Sequence, residues 1–585
     1  MNPHVHPRFC YVRSATWGMD CMTLPRVARP WPRWTALTTR RPLVSSGITT
    51  TEERICTFEP SVWTDFFIRY EPEQFQISEE CMSVKANKLK EEINLLFNSC
   101  KSTMVEKMTL LDTLQRLGID HLFQGQINAV MNEIHKSEFK SCCLNEVALR
   151  FRLLREHGLW VSPDVFDKFK GEDGMFTKAI TNDAHGLLSL YNAAYLSTNG
   201  ELELDEAITF ARHHLESMSG SLKYPLSEQV RRNLEIPLPR TLKRLDAPYY
   251  IVEYKQERAY NPYVLELAKL EFNLLQHLHQ RELKELCQWG NDLYEEVGLS
   301  YSRHRTVETY LWCYTIYYEK HFADARIILA KICHLVSLLD DTFDMQATLE
   351  EGQKLNEAIQ RWDESAIPIL PEYLKKYYVK LIKTFRELED ELKEDHKYRM
   401  VYCRKAFQTL CKHYQKESEW FHSSYIPSFE EHIKNSVIST STPTIVTASL
   451  IGMEDEATKE AFEWVIRCTD AVKACAEVAR FMNDMTAFEH GKNKKDMACS
   501  VESYINQYHV TNEVAMAAME KMVEDAWKTI NQTRFDRREM LPLVERVTRL
   551  TKSMILMYRG NINLYTFTNG IKEKIKEQFI EPISL

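Results

Sequence analysis

The chain has 585 residues, which is long for one domain and points to two. A formal net charge of −9 argues against nucleic-acid binding as its main role, and no apolar stretch reaches the roughly 18 residues that a membrane span requires. Glycine is scarce at 17 residues, and no run alternates like strands with hairpin turns, whereas helical stripes recur, so the predicted class is all-α.

The first fifty residues differ from the rest. They hold seven arginines (Arg8, Arg13, Arg26, Arg29, Arg33, Arg40 and Arg41), no lysine and a single acid, Asp20. An Arg-rich, acid-poor leader ending in Ser and Thr has transit-peptide composition, and it lacks the continuous apolar segment of a secretory signal. Residues 51–260 follow as a first helical domain. The stretch Ile236-Pro237-Leu238-Pro239-Arg240, followed by Pro248, precedes long helical stripes such as Leu265 to Leu275, which places a boundary near residue 260. Residues 261–585 form the second domain. Fifteen cysteines show no paired Cys-x-x-Cys framework and read as free thiols in a reducing compartment. His213 with His214, and His277 with His279, lie on charged helical stretches and read as surface or core residues, not as ligands.

Chemistry concentrates in the second domain. Arg303 and Arg305 stand just ahead of an aromatic-rich helix containing Tyr310 and Trp312, and guanidinium forks suit phosphate oxygens. The apolar run Ala330 to Leu339 then ends in Asp340-Asp341-Thr342-Phe343-Asp344, three carboxylates with nothing nearby in sequence to neutralise them. On a helix Asp340 and Asp344 lie roughly 40° apart, with Asp341 roughly 100° from Asp340, which makes a face for a hard cation such as Mg²⁺. A lone acidic triplet is otherwise a solvated helix end, as the acids Glu387 to Asp395 are among their Lys and Arg neighbours, but the apolar run before Asp340 argues against that. Arg480, three residues before Asn483-Asp484, closes a third apolar helical stretch and faces the site from another wall.

With these three elements in this order, from about Arg54 to Leu585, the chain resembles a plant terpene synthase of the class I, ionisation-initiated type. Supporting marks are Arg54 nine residues before Trp63, the segment Arg152 to Gly158, and Ile359 to Asp363. The resemblance implies a C-terminal α-bundle of the class I terpenoid synthase type, carrying catalysis, and a non-catalytic N-terminal α-barrel-like helical domain. It implies Mg²⁺, with Mn²⁺ as the alternative, three ions in all, on Asp340, Asp341, Asp344 and Asn483. Asp340, Asp344, Arg303 and Arg480 are the implied catalytic residues. Those four with Arg305, Asn483, Trp312, Tyr558 and Tyr565 are the implied substrate contacts, and Ser441 and Thr442 before Pro443 match the family's broken-helix lining. The reaction implied is ionisation of a prenyl diphosphate, farnesyl diphosphate, to a sesquiterpene and diphosphate by a monomer. Geranyl diphosphate in a plastid is the alternative. Glu53-Arg54, where plastidial members favour an arginine pair, leans towards the cytosol.

Two departures stand out. The family's second metal motif places ligands four residues apart, but here the positions are Asn483, Ala487 and Gly491, and only the first can coordinate. Thr486, Glu489 and His490 carry suitable atoms, of which at most Thr486 shares the face of Asn483. Asn563 stands where the family often has an Asp between the two pocket tyrosines. Among rival readings, a chain-elongating prenyl synthase is expected to carry a second aspartate-rich motif, and a protonation-initiated cyclase needs Asp-x-Asp-Asp in the first half. Neither occurs. A non-catalytic prenyl-diphosphate binder is the rival of a different class, favoured only by the incomplete second motif.

Overall fold

Asn261 opens the longest of the described helices. Its side chain accepts from the backbone N–H groups of Tyr263 and Val264, Pro262 takes the first turn where no N–H is needed, and the helix runs 36 residues, Pro262–Val297, to Gly298 at φ 71°. At 1.5 Å per residue this is a rod of about 54 Å. The computed structural model describes residues 58–71, 78–97, 103–258, 260–453, 455–490, 499–558, 560 and 562–585. The leader, Arg54 and Gly491 lie outside the described residues. Among those described, every named element is helical, and the extended pairing is limited to an isolated bridge between Lys170 and Phe176.

Two hydrophobic cores lie along the rod. Val264, Leu267 and Leu270 pack with Phe151, Leu187 and Tyr191 in the first, whereas Leu275, Leu283 and Leu293 pack with Tyr310, Leu335 and Tyr378 in the second. The changeover therefore falls inside one continuous helix, beyond the boundary expected near residue 260. Pro248 does not mark it, since that proline sits within the helix Lys243–Tyr254. Trp63 and Phe67, from the start of the described chain, also belong to the second core.

The two halves are joined by satisfied polar contacts. Arg240 donates to both oxygens of Glu524 at 2.6 Å, Lys528 pairs with Asp205 at 2.7 Å, and Asn531 Nδ2 donates to the carbonyls of Tyr195 and Ser197 at 3.1 and 3.0 Å. Removing one partner of such a buried pair leaves an uncompensated charge, so the interface tolerates little sliding.

In the second core, helices Thr306–Ile316, Ala323–Asp341, Tyr398–His422, Asp470–His490 and Leu541–Met557 surround a cavity. A sixth wall is broken. Phe429–Ser439 ends, Ser441 turns at φ 61°, and Thr442–Ile451 resumes with Pro443 in its first turn. A left-handed φ costs a non-glycine residue on the order of 1 kcal/mol or more, and such strain clusters at functional sites. The break brings Ser439, Thr440, Ser441 and Thr442 to the cavity.

Candidate active site

The cavity measures about 820 Å³ and grades from apolar to charged along its walls. Helix Ala323–Asp341 lines it with Leu329, Cys333, Val336, Ser337 and Asp340, a single helical stripe that ends in a carboxylate. The eleven-residue rise from Leu329 to Asp340 is about 16 Å. Thr309, Trp312 and Ile316 line it from the helix behind Arg305, and Leu550, Met554 and Met557 from helix Leu541–Met557.

The aspartates straddle a change of helix type. The α-helix ends at Asp341, and Thr342–Gln346 forms a π-helical turn in which the Ala347 N–H reaches the Thr342 carbonyl at 2.8 Å. Asp340 and Asp344 both reach the cavity, and Asp341 does not. Fully buried, Asp341 accepts the backbone N–H of Arg303 at 2.7 Å through one oxygen and pairs with the Arg303 guanidinium at 2.7 Å through the other. That guanidinium also donates to Asp340 at 2.7 Å and to Thr566 Oγ1 at 3.3 Å, and it lies 5.3 Å from the Tyr565 ring. Burial alone would lower the Arg303 pKa, but the Asp341 and Asp340 carboxylates outweigh it and hold the group well above its ordinary value.

Three sequence expectations change here. The carboxylates are not without a neutralising partner, because Arg303 folds onto two of them. Asp341, grouped with the metal ligands, has both oxygens engaged by Arg303 and acts as its anchor. Arg305, expected on a phosphate, is fully buried and lies off the cavity wall. Its guanidinium donates to the carbonyls of Tyr565, Thr566, His304 and Glu59 at 2.8–3.1 Å. It staples the C-terminal turn to the start of the described chain.

Three carboxylates against one guanidinium still leave net negative charge, and the donors facing the cavity are hard oxygens, which suits Mg²⁺. Among the described residues no group of three or more His, Cys, Asp or Glu side chains converges as a metal cage. An ion here would draw much of its shell from water and from a diphosphate, as Mg²⁺ commonly does. Tyr414, buried on helix Tyr398–His422, hydrogen-bonds Asp340, and burial together with the Asp340 and Asp344 charges pushes its phenol pKa well up.

The facing wall is built on Arg480, which donates to Asp484 Oδ1 at 3.2 Å, one helical turn away. Asp484 also lines the cavity, but both its oxygens are engaged. Its second oxygen accepts the Ser500 N–H at 2.7 Å and hydroxyl at 2.6 Å, and despite burial Arg480 and His432 hold its carboxyl far below the usual range. Asn483 sits between a carboxylate and an amide, with Nδ2 donating to Asp484 and Oδ1 accepting from Asn563 Nδ2, each at 3.4 Å. Because Asn563 Oδ1 is taken by the N–H groups of Tyr565 and Thr566, the Asn563 NH₂ must face Asn483. Ala487 and Thr486 line the cavity beside Asn483, with the Thr486 hydroxyl donating to the Met482 carbonyl at 2.8 Å, and Glu489 is exposed off the wall.

The aromatic side is equally fixed. Trp312 donates from Nε1 to Ser553 Oγ at 2.7 Å and meets Tyr565 edge-on at 5.8 Å, while the Tyr565 hydroxyl bonds Ser337 at 3.1 Å. Tyr558 also lines the cavity. Tyr414, Ser553 and Thr566 escaped the sequence reading, since they are defined by partners far away in the chain. Asp484 was read only as the neighbour of Asn483.

Residues 62–234 match the family description "Terpene synthase, N-terminal domain", and residues 291–529 match "Terpene synthase family, metal binding domain". The chain belongs to the terpene synthase family. This terpene synthase is 53% identical over 536 residues to the tau-cadinol synthase of Zea mays, covering 90% of this chain and 98% of that one. It is 49% identical over 537 residues to the alpha-copaene synthase of Zea mays, covering 90% and 99%. Its fold superposes on a limonene synthase crystal structure with 2-fluorolinalyl diphosphate at a TM-score of 0.81, with 27% identity, covering 91% and 100% of the two chains. The isoprene synthase of grey poplar, in complex with three Mg²⁺ ions and dimethylallyl-S-thiolodiphosphate, gives 0.78 at 28% identity, covering 86% and 97%. The all-α, two-domain class expected from the sequence is the class of these structures.

Proposed function

We propose that this protein is a Mg²⁺-dependent sesquiterpene synthase, a carbon–oxygen lyase that converts farnesyl diphosphate to a C15 product and diphosphate in the cytosol, as a monomer. The observation that carries the reading is the stripe Leu329, Cys333, Val336, Asp340, an apolar wall ending in acid, facing a second wall that ends in Arg480 and Asn483. Such a cavity is polarised like its substrate, charge at one end and hydrocarbon at the other. Its volume lies within the roughly 300–1,000 Å³ usual for small-molecule sites. The relatedness to two maize sesquiterpene synthases supports the C15 chain.

In this reading Asp340, Asp344 and Asn483 would hold the ions, three Mg²⁺ with Mn²⁺ as a substitute, and Arg480 and Arg303 would meet the diphosphate. Bound Mg²⁺ supplies positive charge that stabilises the departing diphosphate. The C–O bond breaks with its electron pair on the diphosphate oxygen, and fixed N–H donors in a closed site are worth more there than in water. Trp312 and Tyr565, whose rings are locked by Ser553 and Ser337, present π faces to the cation left behind and keep water away from it. Ala487 adds no ligand, so an ion at Asn483 would rely on water and on the substrate's diphosphate oxygens.

Release of inorganic diphosphate from farnesyl diphosphate, requiring Mg²⁺ and abolished by a chelator, is the expected result. Binding without release would favour the non-catalytic reading. A fluorescent fusion of residues 1–50 tests the address: cytosolic signal is expected, and plastid import would move the substrate towards geranyl diphosphate.

A further inference from the structure

Glu417 is a cavity carboxylate outside every motif read from the sequence. It lies on helix Tyr398–His422, one turn after Tyr414, and lines the cavity with Ser439 and Arg480. Its Oε1 accepts the Ser439 hydroxyl, and it accepts Asn435 Nδ2 at 3.2 Å. Asn435 is itself oriented by His413, whose Nδ1 meets Asn435 Oδ1 at 2.9 Å. The Ser439 oxygen in turn accepts from Arg480 at 3.3 Å. A hydroxyl has one proton to give. With that proton on Glu417, Ser439 has only lone pairs left for Arg480, so the relay runs from guanidinium to hydroxyl to carboxylate.

Arg480 is therefore held from two sides. Asp484 draws it along its own helix, and Glu417, through Ser439, draws it across to the broken-helix wall. Burial would depress the arginine, but Asp484 and then Glu417 keep it above its ordinary value. Burial pushes the Glu417 carboxyl up, against the pull of Arg480 and Ser439. With Asp484 alone the guanidinium would lie back on its helix, and with both it spans the gap between two walls.

We infer that Glu417 is a positioning residue for Arg480, acting through the Ser439 hydroxyl to set the angle at which the guanidinium meets a diphosphate. The inference rests on the proposed diphosphate role of Arg480. It goes beyond that role by naming what holds the arginine in place, and it adds a function to the side chain that ends the helix before the break at Ser441.

The test is calorimetric binding of inorganic diphosphate with Mg²⁺ to the full chain. Ser439→Ala and Glu417→Gln should each weaken binding by about tenfold, the cost of one charge-assisted hydrogen bond. Ser439→Thr, which keeps the hydroxyl, should restore it, and melting temperatures read alongside separate this from unfolding. Wild-type affinity in Ser439→Ala and Glu417→Gln, while Arg480→Ala binds poorly, would overturn the relay. Wild-type affinity in Arg480→Ala would instead remove the diphosphate role on which the relay rests. Unchanged diphosphate affinity with an altered product mixture in Glu417→Gln would make Glu417 a proton acceptor and contradict the positioning role.

Discussion

Asp341 meets Arg303 twice, accepting its backbone N–H at 2.7 Å through one oxygen and pairing with its guanidinium at 2.7 Å through the other. The middle aspartate of the motif is thus a fixture for an arginine 38 residues upstream in the sequence. Asp340 shares that arginine while keeping a 28% exposed side chain towards the cavity.

The two aspartates should consequently fail in different ways. Asp340→Ala should lose several powers of ten in turnover, each factor of ten being about 1.4 kcal/mol of barrier, with little change in melting temperature. Asp341→Ala should lose turnover and also stability, by about 3 kcal/mol, because Arg303 loses its fully buried partner and its backbone N–H loses that carboxylate as acceptor, whereas Asp340 is a partly exposed partner. Calorimetric melting of both variants decides, and an unshifted transition for Asp341→Ala would contradict the anchoring role.

Ser553→Ala leaves the indole N–H of Trp312 without its acceptor, a loss of about 1–3 kcal/mol for a buried donor. The ring should then sample other angles against Tyr565. Gas chromatography should show a broader product mixture while diphosphate release persists, and an identical product profile would mean the ring is held by packing alone.

Ala487 faces the cavity one turn beyond Asn483, where a hydroxyl would complete a ligand face. The double change Ala487→Thr with Gly491→Glu restores oxygen ligands at spacings of four, so the Mg²⁺ concentration for half-maximal rate should fall. A constant or higher requirement in a folded variant would show that Asn483 does not serve a metal of the usual geometry.

His334, buried on the same helix as Asp340, has its Nδ1 3.3 Å from the Tyr294 hydroxyl, which donates to the Arg303 carbonyl, while its Nε2 is buried without a partner. Burial, reinforced by His304, lowers its pKa to about 3 from 6.5. Below pH 6.5 the unfolded chain binds a proton that the folded site refuses. Stability is therefore full above pH 6.5 and falls as pH drops towards 3, by up to about 1.4 kcal/mol per unit. Melting curves between pH 7 and 5 should show this slope, and His334→Gln should flatten it. Parallel slopes for the two proteins would assign the loss to other groups.

Class and chemistry were legible because they are local. The run from Ala330 to Leu339 has to be a buried helix, and acids ending a buried helix must face something charged. The same locality sets the limit. That Arg303 would neutralise the aspartates depends on packing between elements 37 and 38 residues apart, and that Arg305 would turn to backbone carbonyls depends on a C-terminal turn some 260 residues away in the chain. The π turn at Thr342 moves Asp344 relative to Asp340 without any change in residue pattern. The core changeover inside Pro262–Val297 was hidden because one amphipathic stripe continues through both cores, whereas prolines mark turns and not packing partners.

This cavity should take a fifteen-carbon diphosphate and release a C15 product from it. The most direct measurement offers the enzyme equal concentrations of farnesyl and geranyl diphosphate with Mg²⁺ and reads the products together by gas chromatography. Predominantly C15 products, lost in Asp340→Ala, are predicted. Predominantly C10 products, or none from either substrate in the folded wild-type protein, would contradict the account.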